Sequence, residues 1–270
     1  MDRAFADVVW RFAIPRALPE ALLEGFGWDA AGRRYEDLSG VRAYGARVAG
    51  TVGAMMAVLM GARSPESVVR ACDLGVAMQL SSIARDVGED ARAGRLYLPL
   101  GWLREAGIDP GGWLARPAFS DPLGSVVRRL LDAADVLYAQ AAPGIAGLPR
   151  ACRPGIHAAR LLYAEIGREV ETRGLDSVSG RAVVPSGRRA ALLARAFVAA
   201  AVAGRGEPAP PLEETRFLVE AVANGSPRPS RSVPDELPWW NLGDRVVWVF
   251  ELFERLERRQ EVGRTTGGGT

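Results

Sequence analysis

Along Ala71 to Pro99, ACDLGVAMQLSSIARDVGEDARAGRLYLP, the residues able to do chemistry recur at helical spacing. At about 100° per residue, Gln79, Ser82, Asp86, Glu89 and Asp90 fall within roughly one third of a helix circumference and share one face. Asp86 and Asp90, at i and i+4, present carboxylate oxygens to one point. Hard divalent cations take such ligands and complete their shell with water and substrate phosphates. Arg85, Arg92 and Arg95 lie close in sequence, and a guanidinium fork matches phosphate oxygens two at a time. The stretch reads either as half of a metal-diphosphate clamp or as a solvated acidic helix end with i,i+4 charge pairing. Its carboxylates repel one another across one turn, so replacing Asp86 or Asp90 by asparagine is expected to relieve that repulsion and leave the fold intact.

The element that must carry this row starts cleanly at Ser64-Pro65-Glu66, with serine as N-cap, proline at the first helical position and an acid in the first turn. Gly94 closes it. Leu74, Val76, Ala77, Met78, Leu80, Ala84 and Val87 cover its other sides, so the helix is buried and its polar stripe faces water or a cavity. A second helical pattern runs from Leu38 to Met60 with Gly40, Gly45, Gly50 and Gly53 inside it. Each interior glycine costs about 1 kcal/mol against alanine, so four of them imply a neighbouring helix or a bulky apolar ligand packed close to the backbone. Tyr44, Val48 and Thr51 lie along one side of it, a phenol at one end of an apolar face.

Further helices are expected at Ala4 to Ala13, stopped by Ile14-Pro15, and at Pro19 to Phe26. Trp28 to Glu36 reads as loop, and Arg95 to Pro99 as extended. Others follow at Gly101 to Ala106, from Asp121-Pro122 to Pro143, at Pro154 to Arg173, at Ser186 to Ala203 and at Leu212 to Ala223. Pro-rich linkers frame that last helix. A closing amphipathic helix spans Leu242 to Glu261, with its charged face solvated and its apolar face docked. No strand pair and no Gly-rich loop after a strand is evident, so the fold class is all-α: one domain over 1–261 and a disordered tail over 262–270.

Composition narrows the partners. The chain has 270 residues, 48% of them hydrophobic, which suffices for one large core. Its 34 basic residues, all arginine, nearly balance 32 acids to leave a net charge of +2. No basic stripe with interleaved aromatics accompanies it, so no nucleic-acid partner is expected. Cys72 and Cys152 lack CxxC spacing and read as free thiols of a reducing compartment, and a lone histidine, His157, as a surface or structural residue. Met1 to Phe12 carries Asp2, Arg3, Asp7 and Arg11, so no secretory signal is expected, and the longest uncharged run, Val48 to Ala62, has only 15 residues, too short to span a bilayer.

QLSSIARDVGEDARAGRLYLP, Gln79 to Pro99, resembles the second aspartate-rich motif of the squalene and phytoene synthase family, Q-L-T-N-I-x-R-D-V-x-E-D with an R-x-Y-x-P ending. YGARVAGTVG, from Tyr44, resembles the family's Y-C-x-x-V-A-G-x-V-G helix, with Gly45 for the usual cysteine; Ser82 stands for an asparagine in the later motif. EIGREVETRGLDSVSGRAVVP and VVWVFELFERLERR match as well, and the likeness is nearest to the bacterial branch that makes phytoene. The resemblance implies an isoprenoid-synthase-type helical bundle around a central cavity, and a prenyltransferase that joins two geranylgeranyl diphosphates head to head through prephytoene diphosphate. The alternatives are squalene or dehydrosqualene formation from farnesyl diphosphate, and a non-catalytic relative that binds a lipid or a partner protein.

By the same resemblance, Asp86 and Asp90 are catalytic and bind Mg2+, or Mn2+ in its place. Gln79, Ser82, Arg85, Arg95 and Tyr97 bind diphosphate directly or through water, Tyr44 stands near the reacting carbons, and Val48 lines a tunnel for the isoprenoid tail. An isoprenoid diphosphate is the expected partner. The protein is expected to be a cytoplasmic monomer with peripheral membrane contact. The family's first aspartate-rich motif, D-x-x-x-D, has no match in the chain, which the resemblance reads as N-terminally incomplete.

Overall fold

The computed structural model describes residues 3–202 and 209–225. Eleven α-helices occur among them, and no strand: α1 (Arg3–Arg11), α2 (Ala17–Ala30), α3 (Leu38–Gly45), α4 (Thr51–Leu59), α5 (Pro65–Arg92), α6 (Leu100–Glu105), α7 (Pro110–Ala115), α8 (Asp121–Ala141), α9 (Arg153–Thr172), α10 (Ser186–Val202) and α11 (Arg216–Asn224). The expected closing helix at Leu242 to Glu261, most of the Pro-rich segments, the boundary at 261 and the tail lie outside the described residues.

Central to the bundle is α5, 28 residues long, packed against α4, α8 and α9. Ser64 caps it by accepting from the Ser67 N–H, with Pro65 in the first turn. At its other end Gly94 takes a φ of +74°, a conformation that glycine adopts without steric cost. Val68, Cys72, Val76, Ala77, Leu80 and Ala84 are fully buried, so apolar contact surrounds the helix on several sides. Burial of a side chain such as Leu80 is worth about 1.5–3 kcal/mol. The Tyr138 hydroxyl of α8 and the Ser81 hydroxyl of α5 lie 3.0 Å apart and share a hydrogen bond inside that contact.

The glycines of the second helical pattern answer to a neighbouring helix. A Cβ on Gly53 would stand 2.2 Å from the Ala71 carbonyl oxygen of α5, and a Cβ on Gly75 of α5 would stand 2.3 Å from that of Ala49. Two backbones therefore meet through reciprocal glycines, closer than any side chain allows. This pattern is not one regular helix. Between α3 and α4, Ala46–Gly50 forms a π-helical turn in which the Thr51 N–H donates to Ala46 O, five residues back.

Three elements differ from expectation. Trp28 to Ala30 belong to α2, not to a loop, and Pro110–Ala115 forms a short helix started by the Asp109 side chain, which accepts from the Gly112 N–H. Arg3–Arg11 ends before the predicted Ala13, whose φ is +46°. The remaining boundaries agree to within a few residues. No helix among the described residues is long and apolar enough to cross a membrane.

Candidate active site

Between the π-helical turn, α4, α5 and the first turns of α9 lies an apolar cavity of about 330 Å³. Val48 and Ala49 line it from the π-helical turn, Leu74, Met78, Gln79 and Ser82 from α5, and Ile156, Ala159 and Tyr163 from α9. Val52 and Met56 of α4 also line it yet are 41% and 43% exposed, so the cavity reaches the surface along α4. Of the residues expected at the site, Val48, Gln79 and Ser82 are thus on the wall.

One turn beyond Ser82 the same face of α5 becomes charged. Asp86 is held by two arginines: Arg85 Nη2 lies 2.6 Å from Oδ2 and Arg85 Nε 2.7 Å from Oδ1, while Arg181 Nε lies 2.9 Å from Oδ1. Arg181 also stands 3.7 Å from Glu89. This corrects the expectation that repulsion dominates at Asp86. The carboxylate neutralises two partly buried guanidiniums, and its loss removes the hydrogen-bonded counter-charge of both, with Glu89 remaining 3.7 Å from Arg181.

Arg181 arrives on the loop after α9. Gly174 and Leu175 both take positive φ, 70° and 65°, and turn the chain back. The Asp176 carboxylate then accepts from the Val178 and Ser179 N–H groups. The Gly88 N–H of α5 donates to Ser177 O at 3.0 Å and Arg92 Nη1 to Val178 O at 3.1 Å. A Cβ on Gly88 would come within 2.4 Å of Val178 O, so glycine lets the loop lie on the helix and deliver Arg181. Arg92 therefore anchors this loop.

Burial pushes the Asp90 carboxyl up to about 7; the charges of Asp86, Glu89 and Asp29 add to the rise, and Arg95 opposes it. Arg95 itself is exposed at the end of α5. Among the described residues no three His, Cys, Asp or Glu side chains converge as a metal site. Asp86 and Asp90 nevertheless give hard oxygen donors on successive turns, a set that suits a hard cation keeping water and phosphate oxygens in its shell.

Tyr44 and Tyr97 come together away from the cavity wall. Leu100 N–H donates to Tyr35 O and Gly101 N–H to Glu36 O, which lays the extended 95–99 segment beside the start of α3. The two phenol rings stack with centroids 5.1 Å apart at 18°. Tyr44 donates to Asp29 Oδ2 at 2.9 Å and Tyr97 to Asp29 Oδ1 at 2.7 Å. Burial raises both phenols, helped by the bonds to Asp29, with Tyr97 pushed up to about 12. Tyr35 continues the row 5.5 Å from Tyr44, followed by Trp28, over which Arg33 and Arg47 sit at 3.8 and 4.2 Å.

Sequence reasoning missed Asp29, Arg181 and Tyr163. Asp29 falls in the stretch read as loop, and nothing in its spacing from Tyr44 announces contact across two elements. Arg181 had a signal, since it sits in the matched GRAVVP segment, but its reach to Asp86 depends on the loop's path. Tyr163, on the amphipathic helix, looks from sequence like ordinary core.

The squalene/phytoene synthase family model matches residues 1–189. A phytoene synthase from Cereibacter sphaeroides is 52% identical over 236 residues, covering 86% of this chain and 66% of the relative. One from Rhodobacter capsulatus is also 52% identical, over 86% of this chain and 70% of the relative. This chain thus spans about two thirds of the length of these relatives. Among solved structures, a dehydrosqualene synthase superposes with a TM-score of 0.59 at 27% identity, over 67% of this chain and 64% of that one.

Proposed function

Because this chain belongs to the squalene/phytoene synthase family, we propose that it joins two geranylgeranyl diphosphates head to head to give phytoene, a step of carotenoid biosynthesis. The observation that carries the reading is the continuity on α5 between an apolar cavity, ending at Ser82, and a charged cluster one turn on at Asp86. A prenyl diphosphate has the same two-part chemistry.

In the first half-reaction one substrate loses diphosphate to give an allylic cation, which alkylates the double bond of the other. Loss of a proton then closes the cyclopropane of prephytoene diphosphate. In the second half the remaining diphosphate leaves, the skeleton rearranges, and a second proton is lost. Charge develops on each leaving diphosphate, so preorganised cations beside it lower the barrier. Arg85 and Arg181 would supply such cations, Gln79, Ser82 and Arg95 contact phosphate oxygens directly or through water, and Tyr97 does so through water. Asp86 and Asp90 would hold Mg2+ or Mn2+, which supplies further charge neutralisation to the leaving group. The walls from Val48 to Ala159 keep water from the cation. Tyr44 stands by the reacting carbons as a neutral phenol. The substrate's isoprenoid tail and the whole of the product are apolar, which fits work at the cytoplasmic face of a membrane.

Incubation with geranylgeranyl diphosphate and Mg2+ should yield phytoene, identified by its absorption and mass. Farnesyl diphosphate with and without NADPH is the second arm, because a solved relative at 27% identity is a dehydrosqualene synthase. A hydrocarbon formed only from farnesyl diphosphate assigns the shorter substrate. No hydrocarbon from either overturns the reading.

A further inference from the structure

We propose that Asp29 is a positioning residue of this site, accepting the hydrogen bonds of the Tyr44 and Tyr97 hydroxyls on its two carboxylate oxygens so that both phenol oxygens are left as electron-rich acceptors for a cationic centre. The inference rests on the prenyl-transfer reading above and names how that site is set up.

Several observations converge on Asp29. Its Oδ1 and Oδ2 each accept from a different phenol, at 2.7 and 2.9 Å, and those phenols come from different elements, α3 and the extended segment after α5. The rings stack at 18°, so one carboxylate fixes both oxygens on the same side of the pair. A hydroxyl whose hydrogen is committed to an anion has only lone pairs left to offer, and donation to a carboxylate is among the stronger hydrogen bonds. The neighbouring charges keep the arrangement neutral in its phenols: Asp29 and Asp90 disfavour phenolate, while Arg33 and Arg47 are engaged with Trp28. A neutral, oriented phenol oxygen stabilises positive charge without ending the reaction by bonding to it irreversibly, as a thiolate or amine could.

The amide of Asp29→Asn has nearly the same shape but only one acceptor oxygen. Its NH2 must donate, so one phenol is forced to turn from donor to acceptor. Asp29→Glu keeps two acceptors. The intact chain is compared with Asp29→Asn, Asp29→Glu, Tyr44→Phe and the Asp29→Asn/Tyr44→Phe pair, with circular dichroism confirming the fold.

In ultraviolet resonance Raman, the tyrosine doublet should shift toward the hydrogen-bond-acceptor pattern in Asp29→Asn and stay donor-like in Asp29→Glu. With geranylgeranyl diphosphate, Asp29→Asn should lower kcat on the order of 10²-fold with KM held within about twofold, the signature of a contact made in the transition state. Tyr44→Phe should lose as much, and the pair little more than either alone. Unchanged Raman spectra, a loss confined to KM, or additive losses in the pair would overturn the proposal. If the chain turns over no prenyl diphosphate, the functional reading falls, and the Raman comparison still decides the phenol orientation.

Discussion

Asp86 and Asp90 are one helical turn apart, yet their surroundings give them opposite energetic signs. Asp86 accepts from Arg85 and Arg181, so Asp86→Asn removes the hydrogen-bonded counter-charge of both guanidiniums, Glu89 remaining beside Arg181, and should destabilise the fold by about 1–3 kcal/mol. Asp90 carries a pKa of about 7, above the ordinary 3.8. A raised carboxyl adds stability that is fully present below pH 3.8 and is lost as pH rises through 7. At pH 8 the wild type carries that penalty and Asp90→Asn does not, so Asp90→Asn should raise the urea midpoint at pH 8 and change it little at pH 4. Equal signs for the two variants at pH 8 would refute this account. His157 supplies the acid limb. It is 5% exposed, neither ring nitrogen has a partner among the described residues, and burial lowers its pKa, with Arg160 and Arg153 adding to the effect. A depressed histidine gives stability present above its unfolded value, about 6.5, and lost as pH falls below it. His157→Phe should therefore lose less stability than wild type between pH 7.5 and 5.5, measured by urea unfolding at each pH.

At the scale of elements, glycine decides how closely the helices approach. Gly75→Ala pushes a methyl into the Ala49 carbonyl, a backbone atom that cannot swing away, and should cost about 1–3 kcal/mol or more. A Cβ on Gly27 of α2 would meet nothing within 4 Å, so Gly27→Ala should instead stabilise, by up to about 1 kcal/mol. Denaturation midpoints of the pair separate packing from helix propensity; destabilisation by both would mean that the helix contact is not what glycine serves at Gly75. Much of this level was legible in the sequence. Ser64-Pro65 and Gly94 mark the ends of α5 because cap chemistry is local, and four glycines in one helical pattern imply close packing wherever the partner lies. The π-helical turn at Ala46–Gly50 was not legible, since its hydrogen bonding is set by contacts with α2 and α5 rather than by its own residues. The C-terminal turn of α2 was hidden because Gly27 and Asp29 lower helix propensity, and tertiary contact overrides them.

Across the whole molecule, local pattern found one wall of the site and tertiary path assembled the rest. Gln79, Ser82, Asp86 and Asp90 share a helix, so their common face follows from periodicity alone. Asp29, Tyr163 and Arg181 join the phenol pair, the cavity wall and the charged cluster from α2, α9 and a loop, and no spacing rule links residues so far apart. The cavity and the charged cluster should consequently act as separable parts of one binding site. A ligand that binds only the folded state stabilises it by mass action, about 2.7 kcal/mol at a hundredfold excess over Kd, or roughly 5–10 °C in Tm for a chain of this size. Inorganic diphosphate with Mg2+ engages the charged end alone and should give a small shift in thermal unfolding. Geranylgeranyl thiolodiphosphate, which resists ionisation, should give a larger one, because each buried methylene adds about 0.8 kcal/mol. Ala159 lines the cavity on α9, away from Asp86. Ala159→Trp should fill the space, erase the extra shift of the prenyl analogue and leave the inorganic diphosphate shift in place. A variant that still distinguishes the two ligands would show that the tail binds elsewhere, and a variant that loses both would show that the cavity and the charged end do not separate.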